Sequence, residues 1–192
     1  MDTAKSSSSA TRDTSPPPAA RTGRKKLRCS AKQRYNEEGG RLIAGCIPYR
    51  RCEDSEEVQI LMITSVQQHS DKMSWIVPKG GWEIHETKEQ AAVRETLEEA
   101  GVTGELDAYL GDFVFQGKKQ SRQNAYMYLL RVTEEMDTWE EVKSRERRWY
   151  SMSAAMANCS KEWMREALAR AQEIVNSSSS EGSVPAEDSP ES

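Results

Sequence analysis

Three glutamates, Glu95, Glu98 and Glu99, stand at i, i+3 and i+4 a few residues downstream of Pro78-Lys79-Gly80-Gly81. Like charges at that spacing repel, and each pair costs a helix about 0.2–0.5 kcal/mol, so something must offset them. A divalent cation does so directly. Gathered carboxylate oxygens are hard donors and suit Mg2+, with Mn2+ as a substitute. Mg2+ gives up water reluctantly and is usually held by a few carboxylates together with the phosphates of a substrate. The residue types therefore point to chemistry on a phosphate-bearing small molecule.

Local signals fix the segment that carries these glutamates. Pro78 has no N–H for a ladder and ends the strand Ser74–Val77. Gly80 and Gly81 allow a sharp turn and a close approach of backbone to ligand. Thr87 and Gln90 stand at the spacing of a capping box, which starts a helix near Lys88. Gly101 stops it. The expected helix 88–100 places Val93, Thr96, Leu97 and Ala100 on a face toward a sheet, and the three glutamates on the opposite face, where they can converge with loop carbonyls. Strands are expected at 41–49, 58–65, 74–77, 108–115, 124–133 and 147–152, and further helices just after Ser153 and over 161–175. Strands, one internal helix, more strands and a terminal helix describe an α+β fold, a mixed β-sheet sandwiched between α-helices.

The chain of 192 residues carries a net charge of −4, enough for one domain with tails. Residues 1–33 form a basic Ser/Pro-rich arm expected to be disordered, 34–176 the domain, and 177–192 an acidic Ser-rich tail expected to be disordered. Residues 1–35 hold nine Lys/Arg against two Asp/Glu. The run Arg21–Arg28 reads as a nuclear address, a polyanion-binding arm or a solvated linker. The remaining domain is acidic, which excludes a nucleic-acid-binding module by composition, an mRNA cap as substrate excepted. No apolar run reaches the roughly 18 residues of a membrane span. Four scattered cysteines without a CxxC pair fit a reducing compartment, the cytoplasm or nucleus. The Ser/Arg-rich start bears only a faint likeness to an organelle transit peptide, and Asp2 and Asp13 count against it. A monomer is expected.

An acidic helix face alone is common. The full spacing is not: Gly80, five residues, Glu86, seven residues, then Arg94-Glu95-x-x-Glu98-Glu99-x-Gly101-Val102. The chain closely resembles the Nudix hydrolases in this pattern, departing only at Thr96, where the family has a larger aliphatic residue. The resemblance implies divalent ions bridging the diphosphate of a substrate, and a water attacking phosphorus to give two phosphorylated fragments. It implies Glu95 and Glu99 as metal ligands, Glu98 as a further ligand or the general base, and the backbone carbonyl of Lys79 as another ligand. Arg94 would orient the glutamates, and Glu86, Gly80 and Gly81 would shape the loop.

Beyond the box, the segments Arg41–Arg50, Trp75–Glu83, Leu97–Leu106 and Val132–Tyr150 resemble the diphosphoinositol polyphosphate phosphohydrolases, most closely a plant-type branch. Lys79 and Trp82 depart from the animal members. A substrate so densely phosphorylated needs several cations at the mouth of the site. Arg34, Arg41, Lys118, Lys119, Arg122, Arg145 and Lys161 are the expected substrate-binding residues; Arg41, Arg145 and Lys161 fall where the family contacts phosphates. The enzymatic alternative is a nucleotide diphosphatase acting on dinucleoside polyphosphates, ADP-ribose or an mRNA cap. It needs an aromatic clamp, and Trp82 is the candidate, since Trp75, Trp139, Trp149 and Trp163 read as core or sheet-surface residues. A Nudix domain that only binds phosphorylated ligands or a protein would be expected to lack box glutamates, which this chain retains.

Overall fold

A computed structural model describes residues 32–180, except 53, 54, 56, 67–73 and 118–120. Its seven-stranded mixed sheet comprises β1 (Leu42–Arg51), β2 (Val58–Thr64), β3 (Trp75–Ile76), β4 (Lys79–Gly81), β5 (Val102–Gln116), β6 (Arg122–Glu135) and β7 (Arg147–Ser151). The helices are α1 (Lys88–Ala100), α2 (Met152–Asn158) and α3 (Glu162–Ser180). The main path runs β3-β2-β1-β6-β5, with β4 paired to β1 and β7 to β2. β1 and β6 are parallel, from Leu42 opposite Asn124 to Tyr49 opposite Arg131. A parallel pair is covered on both faces, and the sequence shows why. Along β1 and β6, Ala44, Cys46, Tyr128 and Leu130 pack with Ala91 and Ala92 of α1. The intervening Ile43, Ile47, Met127 and Leu129 join Met164, Ala167, Leu168 and Ala171 of α3. Period-2 alternation thus sends successive residues to opposite helical layers.

α1 has the expected ends. Thr87 accepts from Gln90 N–H while Gln90 accepts from Thr87 N–H, and Gly101 sits at φ 65°, ψ 35°, donating to Leu97 O, the left-handed cap that glycine adopts at no steric cost. Several bounds shift. The strand expected at 108–115 spans all of β5, because Gly101 turns the chain straight into the sheet. β7 ends at Ser151, whose hydroxyl caps α2 by accepting from Ala154 N–H. α3 runs on to Ser180. Ala167 and Ala171 of α3 are buried, while Trp163 lies at the margin, stacked on Phe115 with centroids 4.7 Å apart. Among the described residues no helix is long and apolar enough to cross a membrane.

Candidate active site

The Gly-Gly segment is a strand. Lys79, Gly80 and Gly81 of β4 pair antiparallel with Gly45, Ala44 and Ile43 of β1, and neither Gly80 nor Gly81 has a positive φ. The sharp turn expected there is absent; what Gly80 provides is room. A Cβ built on it would lie 1.8 Å from Glu95 Oε2, so the carboxylate rests directly on the backbone of β4.

The faces of α1 also differ from expectation. Leu97 is 38% exposed, whereas Glu95 and Glu99 are each 3% exposed. The small side chains Ala91, Ala92, Thr96 and Ala100 make the apolar contact with the sheet. The carboxylate edge of the helix therefore leans inward over β4, where Glu99 Oε2 accepts from Lys79 N–H at 2.9 Å. Thr96 is fully buried and donates to Ala92 O; a polar residue fits this position by bonding within its own helix.

Arg94 organises the entrance to α1. Its Nε and Nη2 bind the two oxygens of Glu86 at 2.9 and 2.6 Å, its Nη2 also reaches Gly81 O at 2.9 Å, and its Nη1 lies 2.8 Å from Glu95 Oε1 and 3.6 Å from Glu98 Oε1. Burial works against the Glu86 carboxylate, but Arg94 and the N–H of Glu83 outweigh it and hold its pKa below the usual range. A carboxylate with a lowered folded-state pKa adds stability that is present above its unfolded pKa and lost as pH falls through the folded one. Glu86→Gln is expected to cost about 2 kcal/mol at pH 7, with the difference in Tm from wild type shrinking below about pH 4.3. A difference that stays constant down to pH 3 would show that the charge on Glu86 is immaterial.

A cavity of about 390 Å³ opens beside the inner edge of α1, walled by Arg41, Lys79, Gly80, Gly81, Glu99 and Arg145, with Glu141, Ser144, Ile43 and Val66 completing it. Desolvation raises the pKa of Glu99, against the opposing pull of Lys79 and Arg145. Desolvation likewise lowers the pKa of Lys79, opposed chiefly by Glu99. Arg145 donates to Glu99 Oε1 at 2.5 Å, Glu141 Oε2 at 2.6 Å and Thr64 O at 2.9 Å. Arg41 donates through Nη2 to Gln33 Oε1 at 2.6 Å, while its buried Nε meets no hydrogen-bond partner among the described residues. Leaving such a donor unmet costs about 1–3 kcal/mol.

Among the described residues no three His, Cys, Asp or Glu side chains are gathered as a metal cluster. The three glutamates therefore do not converge as a trio. Arg94 takes Glu95 and Glu98, Arg145 takes Glu99, and of the three only Glu99 lines the cavity. Two buried carboxylates one turn apart, both bearing on β4, nevertheless fit a hard divalent cation of the kind that takes few protein ligands. Glu95 and Glu99 would hold it.

The basic residues divide. Arg41 and Arg145 line the cavity, and the charge of Lys161 is felt at Lys79. Arg34 faces elsewhere, donating to the carbonyls of Glu83 and Ile84 and lying 4.6 Å over the ring of Trp82. Arg122 lines a separate depression with Glu37 and Glu38. Lys118 and Lys119 lie outside the described residues. Trp82 is engaged by Arg34, by an edge contact with Tyr126 at 5.6 Å and by its own N–H to Glu86 O. Gln33, Glu141 and Ser144 carried no motif signal. Gln33 belongs to the segment bridged to Glu83, and its amide oxygen fills the space above Gly81.

A family model described as the NUDIX domain matches residues 41–171. The chain is 44% identical over 138 residues to "Nudix hydrolase 21, chloroplastic" of Arabidopsis thaliana, covering 71% of this chain and 68% of that protein. It is 36% identical over 134 residues to "Diphosphoinositol polyphosphate phosphohydrolase 3-alpha" of Mus musculus, covering 68% and 77%. Among solved structures, a Caenorhabditis elegans Ap4A hydrolase binary complex superposes with a TM-score of 0.57 at 20% identity, covering 71% of this chain and 98% of that one.

Proposed function

The chain belongs to the Nudix hydrolases, enzymes that cleave pyrophosphate bonds, and we propose that its substrates are diphosphoinositol polyphosphates. The observation that carries this reading is the composition of the cavity wall. Three cationic side chains, Arg41, Lys79 and Arg145, stand there, and among the described residues no aromatic ring does. A nucleobase would find no stacking partner, whereas a ring crowded with phosphates would find cations on several sides. The name of the mouse relative points the same way.

In the proposed reaction Arg41 binds a phosphate through the donors left over from Gln33, and Lys79 adds a second positive charge. Glu95 and Glu99 hold Mg2+, or Mn2+ in its place. When bound, such a cation offsets the charge of the diphosphate and lowers the pKa of water. Water attacks one phosphorus, the P–O–P bond breaks, and each fragment leaves with a phosphate. Glu98 takes the proton from the attacking water. Its side chain is 20% exposed against 4% for both Glu95 and Glu99, so it is the most solvent-open of the three.

Product release should be followed side by side from a diphosphoinositol pentakisphosphate and from diadenosine polyphosphates, with Mg2+. The inositol compound is expected to turn over at least about tenfold faster, and Glu98→Gln to lower kcat by about 10²–10⁴. A preference for the dinucleotides would overturn the substrate and move the function to nucleotide clearance. An active Glu98→Gln would remove Glu98 from proton transfer.

A further inference from the structure

The last turn of a helix leaves carbonyls that no residue of the helix itself can satisfy. In α1 these belong to Leu97, Glu98, Glu99 and Ala100, the turn that carries two of the three box glutamates. Gly101 N–H takes the first at 3.0 Å. The other three are taken by the segment joining β6 to β7 and by the first residue of β7. Glu141 N–H donates to Glu98 O at 3.2 Å, Trp139 Nε1 to Glu99 O at 3.2 Å, and Arg147 Nη1 to Ala100 O at 2.9 Å and Gly101 O at 3.1 Å. The guanidinium of Arg147 lies 4.2 Å from the centroid of Trp139 and donates on to Met136 O at 2.8 Å. The same segment supplies Arg145, which grips the carboxylate of Glu99. Glu99 is thus held at both ends by one stretch of chain, its main chain by Trp139 and its side chain by Arg145.

We propose that Trp139 is a positioning residue for pyrophosphate hydrolysis: with Arg147 stacked on it, it fixes the axial position of the end of α1 and so sets the Glu99 carboxylate against β4 and Arg145. A core tryptophan serves packing alone. This one places a polar N–H on the backbone of the residue whose side chain walls the cavity. The inference rests on the family's cleavage of pyrophosphate bonds, not on the inositol substrate, so it is tested with whichever diphosphate the wild-type protein hydrolyses.

Trp139→Phe keeps a ring beneath Arg147 and removes the N–H. Its kcat is expected to fall about tenfold, as for groups that orient catalytic ligands, with KM within about twofold and Tm within a few degrees of wild type. Mn2+ affinity, read by electron paramagnetic resonance without substrate, is expected to weaken by a similar factor. Arg147→Lys keeps the charge but loses the two-carbonyl fork, and is expected to change kcat and Mn2+ affinity in the same direction. Wild-type kcat and Mn2+ affinity in Trp139→Phe would overturn the proposal. So would losses in either variant that merely track the fraction of unfolded protein, as a purely structural role requires.

Discussion

Glu99→Gln is expected to lower diphosphate hydrolysis about 10³-fold while leaving Tm unchanged or raised. The two halves of the result come from one carboxylate. Glu99 is 3% exposed, and burial penalises its charge enough to raise its pKa even with Lys79 and Arg145 beside it. A carboxylate whose folded-state pKa is raised costs stability when it is ionised, so a neutral group of the same shape removes that cost. Glutamine keeps an oxygen for Lys79 N–H, and Arg145 retains Glu141 and Thr64 O. The folded state therefore loses little. The site loses the charge that any divalent cation between helix and strand requires. Steady-state kinetics and thermal unfolding of one preparation check both halves. Activity within tenfold of wild type would take Glu99 out of the cation site. A fall in Tm of 10 °C or more would make it a structural anchor instead.

Gly80→Ala should be nearly as damaging to turnover, by a steric route. The added methyl would meet Glu95 Oε2 at 1.8 Å, Cδ at 2.0 Å and Oε1 at 2.4 Å, so a shift is unavoidable. The carboxylate is the end of a side chain, but it is not free to swing, being buried and bound by Arg94. Moving it disturbs the Arg94–Glu86 pair as well. Overpacking of this kind costs about 1–3 kcal/mol, and a catalytic group misplaced by about 1 Å can cost 10²-fold in rate. The expected outcome is a stable protein with kcat down about 10²-fold. Gly39→Ala is the control. It has a positive φ of 75° but nothing within 4 Å of the added carbon, so it should lose some stability and little activity. Wild-type kcat in Gly80→Ala would show that the approach of Glu95 to β4 is not needed.

What could be read from the sequence was what is local. The capping box, the glycine stop and the Gly80-to-Val102 spacing lie within one short segment, and the structure reproduces that helix end to end. The alternation that makes β1 and β6 central is likewise written in consecutive residues. The burial of Glu95 and Glu99 was not legible. A charged edge normally faces water, and this one turns inward because Arg94, Arg145 and the N–H of Lys79 meet it, and Arg145 comes from a distant loop. For the same reason Arg34 and Arg145 were indistinguishable as surface cations. One lies over Trp82 bonded to carbonyls, the other is shared between two carboxylates in the cavity, and only the tertiary arrangement decides between these uses. Gln33 had no signal at all, since its value lies in reaching Arg41 and the bare surface of Gly81.

The parallel pairing of β1 with β6 also sets a timetable. A ribosome delivers the chain from its N-terminus at about 5–20 residues per second, so Tyr49 emerges roughly 4–16 s before its partner Arg131. Through that interval β1 can zip to β2 and β4, while its other edge, bearing Cys46 and Ile47, stays open to any strand that passes. The box segment is complete long before Trp139, Glu141, Arg145 and Arg147 exist to grip it. A nascent chain halted after Val102 would hold every residue of the motif and seven of the ten described residues that line the cavity, with the carbonyls of Glu98, Glu99 and Ala100 still unmet. The hydrolase is finished only when its last strand arrives.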